Sequence, residues 1–152
     1  MTSLTTLESL LVRFAAAECS WISSARPDGR VHSVPVWHAW ADGRVYVVTT
    51  GNAVKVRNIA ANPQVVIALP DPIDPLIIEG VASLKQTVSP DIAVQFKAKY
   101  DWDPTTDTEY SALIEIEPSK VIAWGKYGEG RWTAADVREL QSLTRARTVT
   151  PL

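Results

Sequence analysis

The chain has 152 residues, 46% hydrophobic and 21% charged, with 15 Lys and Arg against 17 Asp and Glu and a formal net charge of −2. A chain of this length is expected to form one domain and to bury a core without disulfides or metal. Its mixed charge excludes the basic face of a nucleic-acid binder, and no stretch reaches the ~18–20 uninterrupted apolar residues of a spanning helix.

Leu4, Leu7, Leu11, Phe14 and Ala17 recur at helical spacing, which predicts an amphipathic helix over 4–17 capped by Ser3 or Thr6. Glu8, Arg13 and Glu18 interrupt this segment, so it is not an export leader, and a cytoplasmic protein is expected. Cys19 has no partner for an intramolecular disulfide and no zinc spacing, and beside Trp21-Ile22 it reads as a buried thiol. Asp28-Gly29 and Asp42-Gly43 each separate apolar runs, the pattern of tight hairpin turns. They predict a three-stranded meander of 19–25, 31–40 and 45–50, with Pro35 at an edge or bulge. Gly51-Asn52 then opens a helix over 53–61, with Asn52 as its cap and Asn62-Pro63 as its stop.

Val65 to Leu69 reads as a strand buried on both faces. Leu76 to Lys85 reads as another strand, whose small Gly80 and Ala82 leave room for a close neighbour. A second helix is predicted over 89–100 from Ser89, Pro90 and the four-residue spacing of Ile92, Phe96 and Tyr100. Asp101 to Thr108 is a polar turn, and Tyr110 to Ile116 a strand that Pro118 breaks before a bent extension over 121–124. A glycine-bearing loop and a short helix over 133–143 follow. About six mostly antiparallel strands with appended helices predict a closed or partly closed barrel.

The most informative segment is Val48-Thr49-Thr50-Gly51-Asn52-Ala53-Val54-Lys55-Val56-Arg57. A strand ends in two hydroxyls, glycine turns the chain, and a helix starts with lysine in its first turn. Free N–H groups at such a start favour an anion, and Thr and Lys side chains add donors, which describes a phosphate cradle. The same residues also fit a plain strand-to-helix turn with Lys55 as solvated charge. His32 and His38 lie six apart on one predicted strand, but no Cys or carboxylate pattern completes a metal site, so no metal is expected. Ser23 and Ser24 lack a glycine-flanked elbow, which argues against a serine hydrolase. Glu115 and Glu117 read as a solvated edge, and Trp37 and Trp40 as core or as the floor of a flat ligand's site.

The run Arg26-Pro27-Asp28-Gly29-Arg30-Val31-His32-Ser33-Val34-Pro35-Val36-Trp37 resembles the first hairpin of the pyridoxamine 5′-phosphate oxidase-like split barrels. Thr49-Thr50 with Lys55 to Val65 resembles that family's phosphate-binding strand and helix. Ile78 to Ala82 is similar to its next strand and Ile116 to Trp124 to its last, so the resemblance spans about 20–125 in order. It implies a mainly β (α+β) fold, a six-stranded antiparallel split β-barrel with flanking helices. This makes a single flavin-binding domain over 1–152: a helix at 4–17, the barrel at about 19–124 and a tail or helix at 125–152.

The resemblance further implies a homodimer with FMN at its interface, the deazaflavin F420 as the alternative and haem as a further one. Val34, Pro35, Val36 and Trp37 would lie along the isoalloxazine ring. Thr49, Thr50, Asn52 and Lys55 would hold the phosphate with help from Arg57, and Trp124 or Trp132 of a partner would close the pocket. A haem ligand would have to be His32 or His38. Ala53 stands where the oxidases carry serine, Val34 where they carry arginine, and the chain ends without their Arg-x-His motif. These departures point away from pyridoxamine phosphate oxidation itself. They point toward the broad FMN or F420 oxidoreductase branch, acting by hydride transfer to a small substrate with no acid–base side chain assigned; the alternative is a non-catalytic flavin-, F420- or haem-binding protein.

Overall fold

In the computed structural model, which describes residues 3–148, helix α1 (Leu4–Ala16) opens the chain and is capped as expected. The Ser3 hydroxyl accepts from the N–H groups of Thr5 and Thr6, and Leu7, Leu10, Leu11 and Phe14 form the buried stripe. There follow β1 (Ser20–Ala25), β2 (Val31–Val36), β3 (Ala39–Ala41), β4 (Arg44–Thr50) and α2 (Val54–Ala61). The second half holds β5 (Gln64–Ala68), β6 (Leu76–Lys85), α3 (Pro90–Tyr100), β7 (Tyr110–Ala123), β8 (Gly130–Thr133) and α4 (Ala134–Thr148). None of the described helices is long and apolar enough to cross a membrane.

The sheet is antiparallel with the order β2-β1-β5-β6-β7-β4-β3, and β8 pairs with β7. This overturns the predicted meander. Both hairpins form, but β2 and β4 are not neighbours: the run 31–40 breaks at Trp37-His38, sending β2 to one edge of the sheet and β3 to the other. Val36 and Ala39 are three residues apart, so the two edges approach within about 11 Å. A sheet whose opposite edges are joined by two residues must curl, and the result is the split barrel, with eight strands instead of six.

Inside the curl, Ile22, Val47, Ile67, Ile78, Ile114 and Trp132 pack under α1. A second, smaller core lies outside β3, β4 and β7, where Ile92 and Phe96 of α3 cover Ala39, Tyr46 and Leu113. Strand β4 is therefore covered on both faces. Strand β5 is not: Val65 and Ile67 are buried while Val66 and Ala68 are half-exposed, so the expectation of burial on both faces fails within this chain.

Pro118 does not break β7. The register slips between Glu79 and Gly80, which pair with Lys120 and Pro118, so proline sits at a bulge where its missing N–H is tolerated. Gly80 is required there, since a Cβ would meet Ile116 Cγ2 at 2.6 Å and the Glu117 carbonyl at 2.8 Å. The close neighbour is thus the bulge itself. Cys19 is free but half-buried, not enclosed as expected.

Candidate functional site

The crossing at Trp37-His38 forms one side of a cavity of about 440 Å³. Pro35, Val36 and Trp37 of the β2 end line it, with Val48 and Thr49 of β4 and Lys55 of the first turn of α2. Phe96 of α3, Trp102 and Asp107 of the following loop, and Tyr110 at the start of β7 complete it. Five of the nine sequence-predicted residues meet here: Pro35, Val36, Trp37, Thr49 and Lys55. This is within the usual size range of small-molecule sites, and its lining is mostly apolar with a few polar groups, as such sites require.

The other four lie elsewhere. Val34 points inward and packs against the main core. Thr50 is taken up in the ladder opposite Tyr110, where Ser111 is the extra residue of a bulge. Asn52 is exposed and does not cap α2; the cap position is Ala53, which makes no side-chain hydrogen bond. Arg57 turns away, its Nη1 donating to the Asn52 carbonyl at 3.0 Å, into a separate cleft beside Arg26 and Arg30.

Lys55 is the informative charge. It is half-buried, its ammonium forms no ion pair among the described residues, and burial lowers its pKa below the ordinary lysine range. A partly desolvated cation beside a helix start with no side-chain cap leaves unmatched positive potential facing the cavity. Asp107 supplies the opposite charge. The N–H groups of Tyr110 (2.8 Å) and Glu109 (2.9 Å) donate to its Oδ1, Trp102 Nε1 donates to Oδ2 at 3.2 Å, and these bonds hold its pKa below the usual carboxylate range. Asp107 is an ionised, oriented acceptor at neutral pH.

Neither histidine lines the cavity. His38 lies beyond the end of β2, so the two do not share a strand as predicted. Its ring is fully buried, stacked on Phe14 at 4.1 Å, with Nδ1 2.8 Å from Ser20 Oγ and Nε2 2.8 Å from the Phe14 carbonyl. His32 is half-exposed on the edge strand, and its Nδ1 has no hydrogen-bond partner among the described residues. Trp132 is buried in the main core, its Nε1 donating to the Ser3 carbonyl, which excludes it as a pocket lid. Glu115 is half-buried and accepts from Tyr46 Oη at 3.0 Å, so it is not the solvated edge expected. Among the described residues no group of three or more His, Cys, Asp or Glu is placed to hold a metal.

Phe96, Trp102, Asp107 and Tyr110 were not singled out by sequence reasoning. In the sequence Phe96 belongs to the four-residue spacing that predicts a helix over 89–100, and Trp102 to a polar turn. A tryptophan inside an otherwise polar segment was the available signal, because a large apolar side chain there needs a surface to cover.

A family model described as pyridoxamine 5′-phosphate oxidase matches residues 8–125. The chain belongs to this family. No curated protein matches its sequence. Its fold is similar to that of an F420 reductase, with a TM-score of 0.59 at 23% identity over 70% of this chain and 90% of the other. It is also similar to a pyridoxamine 5′-phosphate oxidase-related, FMN-binding protein from Nostoc punctiforme, with a TM-score of 0.56 at 15% identity over 84% and 85% of the two chains. A third similar fold is the haem storage protein of Vibrio cholerae, with a TM-score of 0.61 at 17% identity over 84% and 94%. Among these three similar folds one architecture accompanies three ligand chemistries, so the fold alone does not identify a ligand for this chain.

Proposed function

We propose that the protein binds FMN in the cavity beside Trp37 and acts as an oxidoreductase on a small, flat substrate. The observation that carries this reading is the half-buried, unpaired Lys55 at the mouth of a helix with no side-chain cap. A phosphate monoester supplies the missing negative charge, with Lys55 and the Thr49 hydroxyl as donors. Pro35, Val36 and the aromatic groups of Trp37, Phe96, Trp102 and Tyr110 offer a wall suited to a planar ring. Arg57 and Thr50 are absent from this donor set, so Lys55 carries most of the charge recognition.

When bound, the flavin supplies hydride chemistry, while the protein orients it and excludes water. Asp107 stays ionised at neutral pH and serves as an acceptor for a ligand N–H, not as a proton donor. Haem fits this cavity less well, because both ring nitrogens of His38 are engaged inside the core and His32 does not line the cavity.

The homodimer is part of the same reading. One row crosses the outer face of the sheet in register: Pro35, Trp21, Ala68, Ile77 and Ile122. Trp21 is 44% exposed and the next three are half-exposed, which leaves a continuous apolar band beginning at the edge of the cavity. A second copy of the chain covering that band would also wall the cavity.

The test is an absorption spectrum of the purified protein followed by separate titrations with FMN, F420 and haem, repeated on Lys55→Glu. Saturable FMN binding that Lys55→Glu abolishes supports the reading. FMN binding unchanged by Lys55→Glu removes the phosphate assignment. Binding of F420 alone, or a haem Soret band alone, overturns FMN as the cofactor.

A further inference from the structure

We infer that Tyr100, which does not itself line the cavity, is the positioning residue of this site and acts through Trp37. The indole of Trp37 is 49% exposed, and the residue belongs to no strand ladder, since β2 ends at Val36 and β3 begins at Ala39. An indole in that position is free to swing unless a neighbour holds it. The neighbour is the ring of Tyr100, whose centroid is 4.3 Å from that of Trp37 with the planes 1° apart. Trp102 packs only its edge there, at 6.2 Å and 72°.

The Tyr100 hydroxyl holds the backbone on which the indole rides. It accepts from the His38 N–H at 3.1 Å and donates to the Glu18 carbonyl at 2.7 Å. The His38 carbonyl accepts from Lys99 Nζ at 2.8 Å, so two successive residues of the last turn of α3 secure both polar groups of one crossing residue. On the opposite side the His38 ring is tied to Ser20 and Phe14. Tyr100 is itself backed by Phe96, one helical turn earlier, at 5.9 Å. The i, i+4 pair of the predicted helix therefore divides its work: Phe96 fills the small core and reaches the cavity from it, and Tyr100 holds Trp37 in the wall of the site. A wall held in place before the ligand arrives spares the cost of ordering it on binding.

The inference rests on the binding reading above only for its affinity readout. The experiment compares wild type, Tyr100→Leu, Trp37→Ala and the double variant, first without ligand and then with FMN. Without ligand, the near-UV circular dichroism and acrylamide quenching attributable to Trp37 are taken as the difference from Trp37→Ala. Tyr100→Leu should lose that dichroism and leave the indole more open to quencher. Its FMN affinity should fall about three- to tenfold, and the same change should add nothing in the Trp37→Ala background, because residues that act as one unit are not additive.

An unchanged Trp37 signal in Tyr100→Leu overturns the inference. So does an equal loss of affinity with and without Trp37, which marks a general structural effect. If Tyr100→Leu does not fold, Tyr100→Met, which fills similar space without a ring, carries the same comparison. If wild type itself does not bind FMN, the cofactor reading fails, and the ligand-free comparison still decides the role of Tyr100.

Discussion

His38 is a buried polar side chain whose hydrogen bonds fix its protonation state. A carbonyl only accepts, so Nε2 carries the proton donated to Phe14, and Nδ1 accepts from the Ser20 hydroxyl. Burial drives its pKa down from 6.5 to about 4. Between those values the unfolded chain takes up a proton that the folded chain refuses. The stabilisation from a neutral His38 is thus complete above pH 6.5, declines as pH falls through the window and is gone below about 4. The size of that loss is roughly 3 kcal/mol. Urea midpoints of wild type and His38→Gln at pH 7, 5 and 4 check this. The variant starts less stable at pH 7, and the gap should narrow toward pH 4; a gap independent of pH would show that His38 does not titrate this way.

At the scale of elements, the β3–β4 hairpin offers a clean prediction. Asp42 and Gly43 have φ of 51° and 74°, the pair of positive angles that a two-residue turn needs to match strand twist. A Cβ on Gly43 would also come within 2.8 Å of Gln141 Cγ on α4. Gly43→Ala should therefore lower stability by about 1–2 kcal/mol. Adding Gln141→Ala should recover only the packing part, which thermal melts of the three proteins would separate.

Such turns were legible in the sequence because Asp-Gly carries its own backbone geometry. The capped start of α1 and the periodic stripe of α3 were legible for the same local reason. The break at Trp37-His38 was not, because neither residue is a turn former; the break is imposed by α1, β1 and α3, which engage His38 from three sides. Pro118 misled in the opposite sense, since a bulge lets a strand continue through it. In the site, Thr49 and Lys55 stand in the contiguous run Val48 to Arg57 that reads as an anion cradle, whereas Pro35, Val36 and Trp37 were indicated only by the family resemblance. The wall formed by Phe96, Trp102, Asp107 and Tyr110 comes from a segment about 40 residues further on, and only the fold brings it there.

For the molecule as a whole, the apolar row on the outer sheet face is where the proposed homodimer is tested. Ile77 lies within it, flanked by Ala68 and Ile122 on the neighbouring strands. Ile77→Lys places a charge in that band without touching the inner core. The expected outcome is a single-chain mass in analytical ultracentrifugation with an unaltered far-UV spectrum, against twice that mass for wild type. A wild-type chain that sediments alone would remove the homodimer from the reading.

Trp132 joins the beginning of the fold to its end: its indole N–H bonds the Ser3 carbonyl, 129 positions earlier. Its ring sits in the same core as Leu7 and Leu10, together with Val137 and Leu140 of α4. On a ribosome adding about 5–20 residues per second, α1 waits on the order of ten seconds for these last neighbours. Through that interval the apolar stripe of α1 has no complete seat, and the nascent chain is open to chaperone capture and to aggregation. A translational pause shortly before residue 132 should therefore harm the yield of folded protein more than an equal pause in the first hairpin.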